Sequence, residues 1–357
     1  MKKVLLITDV NFWEKSSGNR MRIYSLVEYL APLVQLTVIN TGPAHQDIEQ
    51  FLNSKFMAEF HVLENSKFLS SNGYGRRLRK FLNDRKFDTI IIEYIHSSFF
   101  LNFLEDEAQI ILDAHDIISD RAEEFKKFNH PGALYEISRE TEIEIFNVYD
   151  HVMVLCGPDY KKISSMMGID KLLLCPHPVT PCRHQIREKV KTITYVASSY
   201  LPNKDAISFF IEKCWPHIFT KYNVQLSIYG TVGEGLALPP NMQISLKGFV
   251  PDHSEIYKDA DIVINPVRFG AGLKIKNVEA LANGIPLVTT SHGARGLEAG
   301  KNSAYLIADE PEEIIKSISH LIGNVEIRHE LSDRAYNFIK DNFSPEKCFA
   351  PLLNAIN

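Results

Sequence analysis

A chain of 357 residues, 45% hydrophobic and 23% charged, is long enough for two cores of ordinary domain size. Its formal charge of −5 leaves no basic excess with which to neutralise a phosphate backbone, which argues against a general nucleic-acid binder. No apolar run reaches the roughly 18 residues that span a bilayer, and Met1-Lys2-Lys3 leads straight into a strand pattern, so the expected location is cytoplasmic.

In chain order, residues 4–8 read as a short apolar strand, 9–18 as a loop, 19–30 as a helix and 35–39 as the next strand. The strand pattern recurs at 89–92, 110–113 and 152–155, which predicts a parallel sheet with helices on both faces. Residues 175–181, Cys-Pro-His-Pro-Val-Thr-Pro, have the proline density of a linker. A second run of strands follows at 193–196, 225–229, 243–246, 262–264 and 286–289, and the tail from 332 to 357 is mostly helical. The five cysteines, Cys156, Cys175, Cys182, Cys214 and Cys348, are an odd number without metal-ligand spacing and are expected as reduced thiols.

The most informative segment is 261–298. Its strand runs into Gly270-Ala271-Gly272, a tight turn, and then into a helix whose inward stripe is Ile275, Val278, Leu281 and Ala282. Free N–H groups and the positive end of the helix dipole favour a phosphate there, and glycine lets the backbone approach it. Lys274 in the first turn adds a charge-assisted contact, and Glu279, deeper in the helix, suits the paired hydroxyls of a ribose. Taken as a bare pair, Lys276 and Glu279, three apart, also read as a surface ion pair. Lys204 stands with Ser198 and Asn203 in the loop 197–205, ahead of the next helix, and His115 follows the strand ending at Asp113, at the edge of the sheet. Asp113 and Asp116 either cap the next helix or orient His115. Gly18 follows the first strand in a loop without a Gly-x-Gly-x-x-Gly fingerprint, which argues against a dinucleotide-dependent oxidoreductase. Arg76, Arg77, Arg79 and Lys80, interleaved with Leu78, Phe81 and Leu82, form a basic amphipathic stretch that suits peripheral contact with an anionic membrane.

The run from Glu279 to Val288, Glu-Ala-Leu-Ala-Asn-Gly-Ile-Pro-Leu-Val, resembles the donor-binding region of the family 4 retaining glycosyltransferases. Ala271 stands where that family's Glu-x7-Glu motif has its first glutamate, but Arg268, Gly270, Ala271, Gly272 and Lys274 fit an Arg-x-Gly-Ala-Gly-x-Lys form found in one branch, with Leu273 inside it. Ser198 replaces the arginine of a Gly-Arg pair, while Lys204 keeps the spacing of the lysine six positions after it. The resemblance implies an α/β fold of GT-B type, two doubly wound Rossmann-like domains facing across a cleft. Residues 1–178, with a crossover helix at about 335–357, would form the acceptor-side domain, and 179–334 the donor domain. It implies a metal-independent enzyme without a cofactor that moves a sugar from a nucleoside diphosphate, UDP by family usage, to a saccharide or lipid-linked hydroxyl in surface polysaccharide or glycoconjugate assembly. In it, Lys204 and Lys274 hold the diphosphate and His115 positions the sugar. Gly18 lies beside the donor, Glu279 holds the ribose, and Gly248, Phe249 and Val250 read the base through the backbone. The alternatives are a nucleotide-sugar 2-epimerase of the same fold and, given Ala271 and Ser198, a non-catalytic nucleotide-sugar-binding subunit.

Overall fold

The computed structural model describes residues 1–43, 47–63, 71–104, 107–130, 132 and 135–357. They form two compact units. The first holds Met1–Lys15, Asn19–Pro176 and Cys348–Asn357, and the second holds Ser16–Gly18 and His177–Lys347.

In the first unit the strands are β1 (Lys3–Thr8), β2 (Gln35–Asn40), β3 (Glu59–Val62), β4 (Thr89–Glu93), β5 (Gln109–Asp113), β6 (His151–Val154) and β7 (Leu172–Leu174). They make one sheet in the order β3-β2-β1-β4-β5-β6-β7, every pair parallel. Alternation along β1 shows why both faces are covered. Val4 and Leu6 belong to one core with Phe349, Leu352 and Ile356, whereas Leu5 and Ile7 belong to another with Ile92, Phe146 and Tyr149.

The second unit carries β8 (Thr192–Val196), β9 (Gln225–Tyr229), β10 (Ile244–Gly248), β11 (Ile262–Asn265), β12 (Leu287–Thr289) and β13 (Leu306–Ile307), in the parallel order β10-β9-β8-β11-β12-β13. Its core centres on Trp215, buried with Phe210, Ile218 and Leu226, and the Trp215 indole N–H donates to the Met242 carbonyl at 2.8 Å. The tail is two helices, Val325–Asn342 and Pro345–Ile356, where the sequence suggested one crossover helix.

Strand order reverses direction between β1 and β4 in one sheet and between β8 and β11 in the other. Loops leaving neighbouring strands at such a point diverge to opposite faces and leave a crevice beyond the carboxyl ends, the usual ligand position in sheets of this kind. In the second unit those loops are 197–200, which leads into the helix turn with Lys204, and 266–274, which holds the glycine turn and Lys274. None of the described helices is long and apolar enough to cross a membrane, and the five cysteines are free thiols, four of them buried.

Candidate functional site

The candidate residues fall into two groups, one in each unit. In the second unit, Val196 hands the chain to a loop that must pass under Gly230. A Cβ at Gly230 would stand 2.1 Å from the Ala197 carbonyl oxygen, and its φ of 89° is one that L side chains rarely adopt. The loop then enters the helix Leu201–Lys213, with Pro202 at its start. Asn203 Nδ2 returns to the Ser198 carbonyl at 3.1 Å and the Tyr195 hydroxyl donates to the Asn203 carbonyl at 3.0 Å, so the first turn is pinned to the strand behind it.

After β11 the chain turns at Gly270 (φ 105°) and Gly272 (φ 70°) into the helix Ile275–Ala282. The turn is braced twice. His292 Nε2 lies 2.7 Å from the Gly270 carbonyl, and the Lys274 ammonium donates to the carbonyls of Ala271 and Gly272 at 3.0 Å each. Behind it, buried Asn277 accepts from Asn265 at 2.9 Å and donates to Thr289 Oγ1 at 3.2 Å and the Gly293 carbonyl at 2.8 Å, tying helix to both flanking strands.

Glu279 is buried, and it is not in a surface ion pair with Lys276. The Tyr257 hydroxyl donates to its Oε2 at 3.0 Å, and His253 Nδ1 lies 3.1 Å from Oε1. Burial and the Glu279 charge raise the Tyr257 pKa well above the ordinary phenol value, so the tyrosine stays a donor. Lys276 points the other way. Its ammonium donates to Asn203 Oδ1 at 2.7 Å and lies 4.9 Å from the Tyr195 ring centre. Burial and the charge of Lys274 push its pKa down to about 7, against the raising effect of Glu279.

Arg268 is paired within its own unit. Its guanidinium holds Asp205 through two contacts, at 2.6 and 3.0 Å, and lies 4.5 Å from the Phe209 ring centre. This ion pair ties the loop after β11 to the helix Leu201–Lys213. Lys204, by contrast, is half-buried in that helix's first turn, and among the described residues its ammonium has no hydrogen bond or ion pair. Gly248 (φ 68°) and Phe249 are exposed, Val250 packs on Val196, Tyr229 and Ile256, and the Gly230 N–H donates to the Gly248 carbonyl at 2.7 Å. Leu273 is buried, and a Cβ at Gly18 would stand 3.3 Å from Ile275 Cδ1.

The first unit's group is built at the carboxyl ends of β4 and β5. His115 (φ 59°) stacks on Tyr94 (φ 66°) with ring centres 4.0 Å apart and planes at 11°, and its Nε2 lies 2.6 Å from Glu93 Oε2. Two non-glycine residues at positive φ side by side are backbone strain of the kind that collects at functional sites. Asp113 neither caps the next helix nor bonds His115. Its Oδ2 accepts from Arg22 Nε at 3.0 Å, both side chains fully buried, while Arg22 Nη1 donates to the Pro176 carbonyl at 2.9 Å. Asp116 pairs with Arg121, and Glu142 caps the following helix by accepting from the N–H groups of Ile118 and Ser119.

Glu93, Asp113 and His115 together offer ligand atoms within 4.8 Å of one another. With the Arg22 guanidinium already on Asp113, a further cation there meets repulsion. Burial and the Asp113 charge raise Glu93 to about 7. Burial works to lower the His115 pKa, but Asp113 and Glu93 outweigh it and leave it raised. The Glu93 carboxylate therefore supports the His115 imidazole directly, with the Arg22–Asp113 pair beside it.

Sequence reading missed Glu93 and Tyr94, which touch His115, His253 and Tyr257, which touch Glu279, and the buried brackets Arg22 and Asn277 behind the two groups.

Residues 190–324 match the family model described as Glycosyl transferases group 1. A Klebsiella pneumoniae protein, described as an uncharacterized 44.6 kDa protein in cps region, is 22% identical over 99% of both chains. Among solved structures, TarM covers all of this chain and 99% of its own, at 14% identity and a TM-score of 0.76. HepE of Anabaena, solved with UDP and glucose, covers all of this chain and 99% of its own at 12% identity and a TM-score of 0.72. The lipopolysaccharide outer core galactosyltransferase WaaB covers 99% of each chain at 14% identity and a TM-score of 0.65. The fold is GT-B.

Proposed function

We propose that the protein is a retaining glycosyltransferase that moves a sugar from a nucleoside diphosphate sugar to a hydroxyl acceptor in surface polysaccharide or glycoconjugate assembly. One observation carries this reading: Lys204 and Lys274 stand at the amino ends of two helices whose first turns meet beyond β8 and β11. A cation at a helix N-terminus is disfavoured by the dipole, by about 0.3–1 kcal/mol each, and an anion bound between the two ends reverses that cost. A diphosphate fits the charge, and Glu279 lies on the same helix to accept ribose hydroxyls. The match at residues 190–324 and the UDP in solved structures of similar fold support a UDP-linked donor.

In this scheme the lysines and helix ends offset the charge that develops on the leaving diphosphate, with no metal ion or cofactor needed. His115 positions the sugar, held in place by Glu93 and the Tyr94 ring. Gly18 lies beside the donor, and the loop Gly248, Phe249 and Val250 meets the base. Attack comes from the same face as departure, the leaving phosphate taking the acceptor proton, so no protein nucleophile is assigned. The acceptor is a saccharide or a lipid-linked saccharide bound by the first unit.

The test is calorimetry and slow donor hydrolysis across a panel of nucleoside diphosphate sugars in the presence of a chelator. One donor is expected to bind and turn over. Glu279→Ala is expected to weaken it about 10- to 100-fold, the value of one or two hydrogen bonds to a charged acceptor. Unchanged affinity in Glu279→Ala removes the ribose assignment. Conversion of the donor without acceptor into an epimer favours the 2-epimerase, and binding without any turnover favours a non-catalytic subunit.

The basic stretch supports a second, electrostatic contact. In the helix Ser71–Leu82, Leu78 and Leu82 are buried and Phe81 lies under Arg85, ring centre to guanidinium 4.1 Å, so its apolar side is spent on the core. Arg76, Arg79 and Lys80 are exposed and Arg77 is half-buried. Attraction to an anionic membrane would then come from charge alone, at about 1 kcal/mol per cation. Vesicles containing phosphatidylserine are expected to retain the protein near 0.01 M salt and release it near 1 M, as the Debye length falls from about 30 to about 3 Å. Retention that ignores salt contradicts this contact.

A further inference from the structure

Lys276 stands apart from the two lysines assigned above. It is half-buried on the helix Ile275–Ala282, yet its ammonium reaches across to the first turn of another helix, to Asn203 Oδ1 at 2.7 Å, and Asn203 in turn donates to the Ser198 carbonyl at 3.1 Å. Lysine, asparagine and loop carbonyl make a bridge between the two helix amino ends. An ammonium carries three N–H donors. Among the described residues Asn203 is the one hydrogen-bond acceptor it has, which leaves two donors unused in a half-buried place. A charge is costly in such a place without further acceptors, so the charged form is favoured only when acceptors arrive from outside.

Resting on the donor-site reading above, we infer that Lys276 is a diphosphate-binding residue whose ammonium contacts a phosphate oxygen of the bound nucleotide and gains its proton as the nucleotide enters. The charged groups that act on it are Lys274, just before its helix, and Glu279, on the same helix; Tyr195 from β8 and Asn203 from the helix Leu201–Lys213 face it, while the Tyr257 hydroxyl lies 3.4 Å from the Lys276 carbonyl. Of these, Lys274 opposes the charged form and Glu279 favours it. The sign follows. In the free chain the amine is mostly neutral above its lowered pKa of about 7, and a dianion beside it restores the charged form. Nucleotide binding therefore takes up a proton on the alkaline side of neutrality, and affinity declines as pH rises through that range.

The experiment is calorimetric titration with UDP at pH 8.5 in two buffers of different ionisation enthalpy, on the full chain. At that pH the terminal phosphate, with a second ionisation near roughly 6, contributes no proton change of its own. Wild type is expected to take up about one proton per UDP. Lys276→Met is expected to take up none and to bind about 10- to 100-fold more weakly, while Lys276→Arg, permanently charged, binds without uptake. Proton uptake and affinity unchanged in Lys276→Met overturn the inference while leaving the donor site standing. A wild-type chain that binds no nucleoside diphosphate overturns both.

Discussion

Arg22→Met is expected to destabilise the chain by about 3–5 kcal/mol, the usual cost of removing one partner of a buried ion pair. Both Arg22 and Asp113 have fully buried side chains, and Glu93 lies close enough to raise its own pKa through the Asp113 charge. Without the guanidinium, two carboxylates share the interior with His115 as the one remaining cation. Arg22 also sits 4.7 Å from the Phe349 ring and holds the Pro176 carbonyl, so a purely apolar side chain restores volume and neither contact. The check is a urea unfolding curve. The double variant Arg22→Met with Asp113→Leu should recover most of the loss, because it removes the orphaned charge as well. A single-variant loss below about 1 kcal/mol would show that the carboxylates can protonate at little cost and that the pair is dispensable.

Lys204→Ala is expected to lower turnover about 10²–10³-fold, the usual consequence of deleting one preorganised group that stabilises developing charge. Lys274 already donates to two carbonyls of its own loop and Arg268 to Asp205, whereas the Lys204 ammonium has no such partner among the described residues. On the proposed donor-site reading, that leaves it available to the leaving diphosphate. Since charge on the diphosphate grows as the bond to the sugar breaks, kcat should fall by more than the affinity for UDP. Loss of affinity alone, with kcat kept, would mean that Lys204 serves ground-state binding only.

How much of this was legible depended on where each interaction comes from. The central strands are continuous apolar runs, such as Ile90-Ile91-Ile92, and could be read as buried parallel strands directly. The edge strands β3, β7 and β13 could not. Glu59-Phe60-His61-Val62 mixes polar and apolar residues, and β13 is two residues long, so their pairing depends on the neighbour already being in place. At the site, the glycine turn, Lys204, Lys274 and Glu279 were visible because backbone geometry and helix position mark them locally. The partners of Arg268 and Lys276 were hidden for a single reason: Asp205 and Asn203 lie 63 and 73 positions away. The support under His115 is likewise invisible in spacing, since Arg22 and Asp113 are 91 positions apart.

The segment Cys348–Asn357 bears on how the protein is made. Phe349, Leu352 and Ile356 fill the same core as Val4, Leu6 and Val38, although some 170 residues of the second unit are translated between them. A ribosome therefore releases nearly the whole first sheet long before the side chains that seal one of its faces. Until then that face exposes apolar surface to solvent, while the second unit has every strand it needs within 192–307. The expected order of assembly is the reverse of the order of synthesis, with the later unit reaching its native packing first and the earlier one waiting on its final helix.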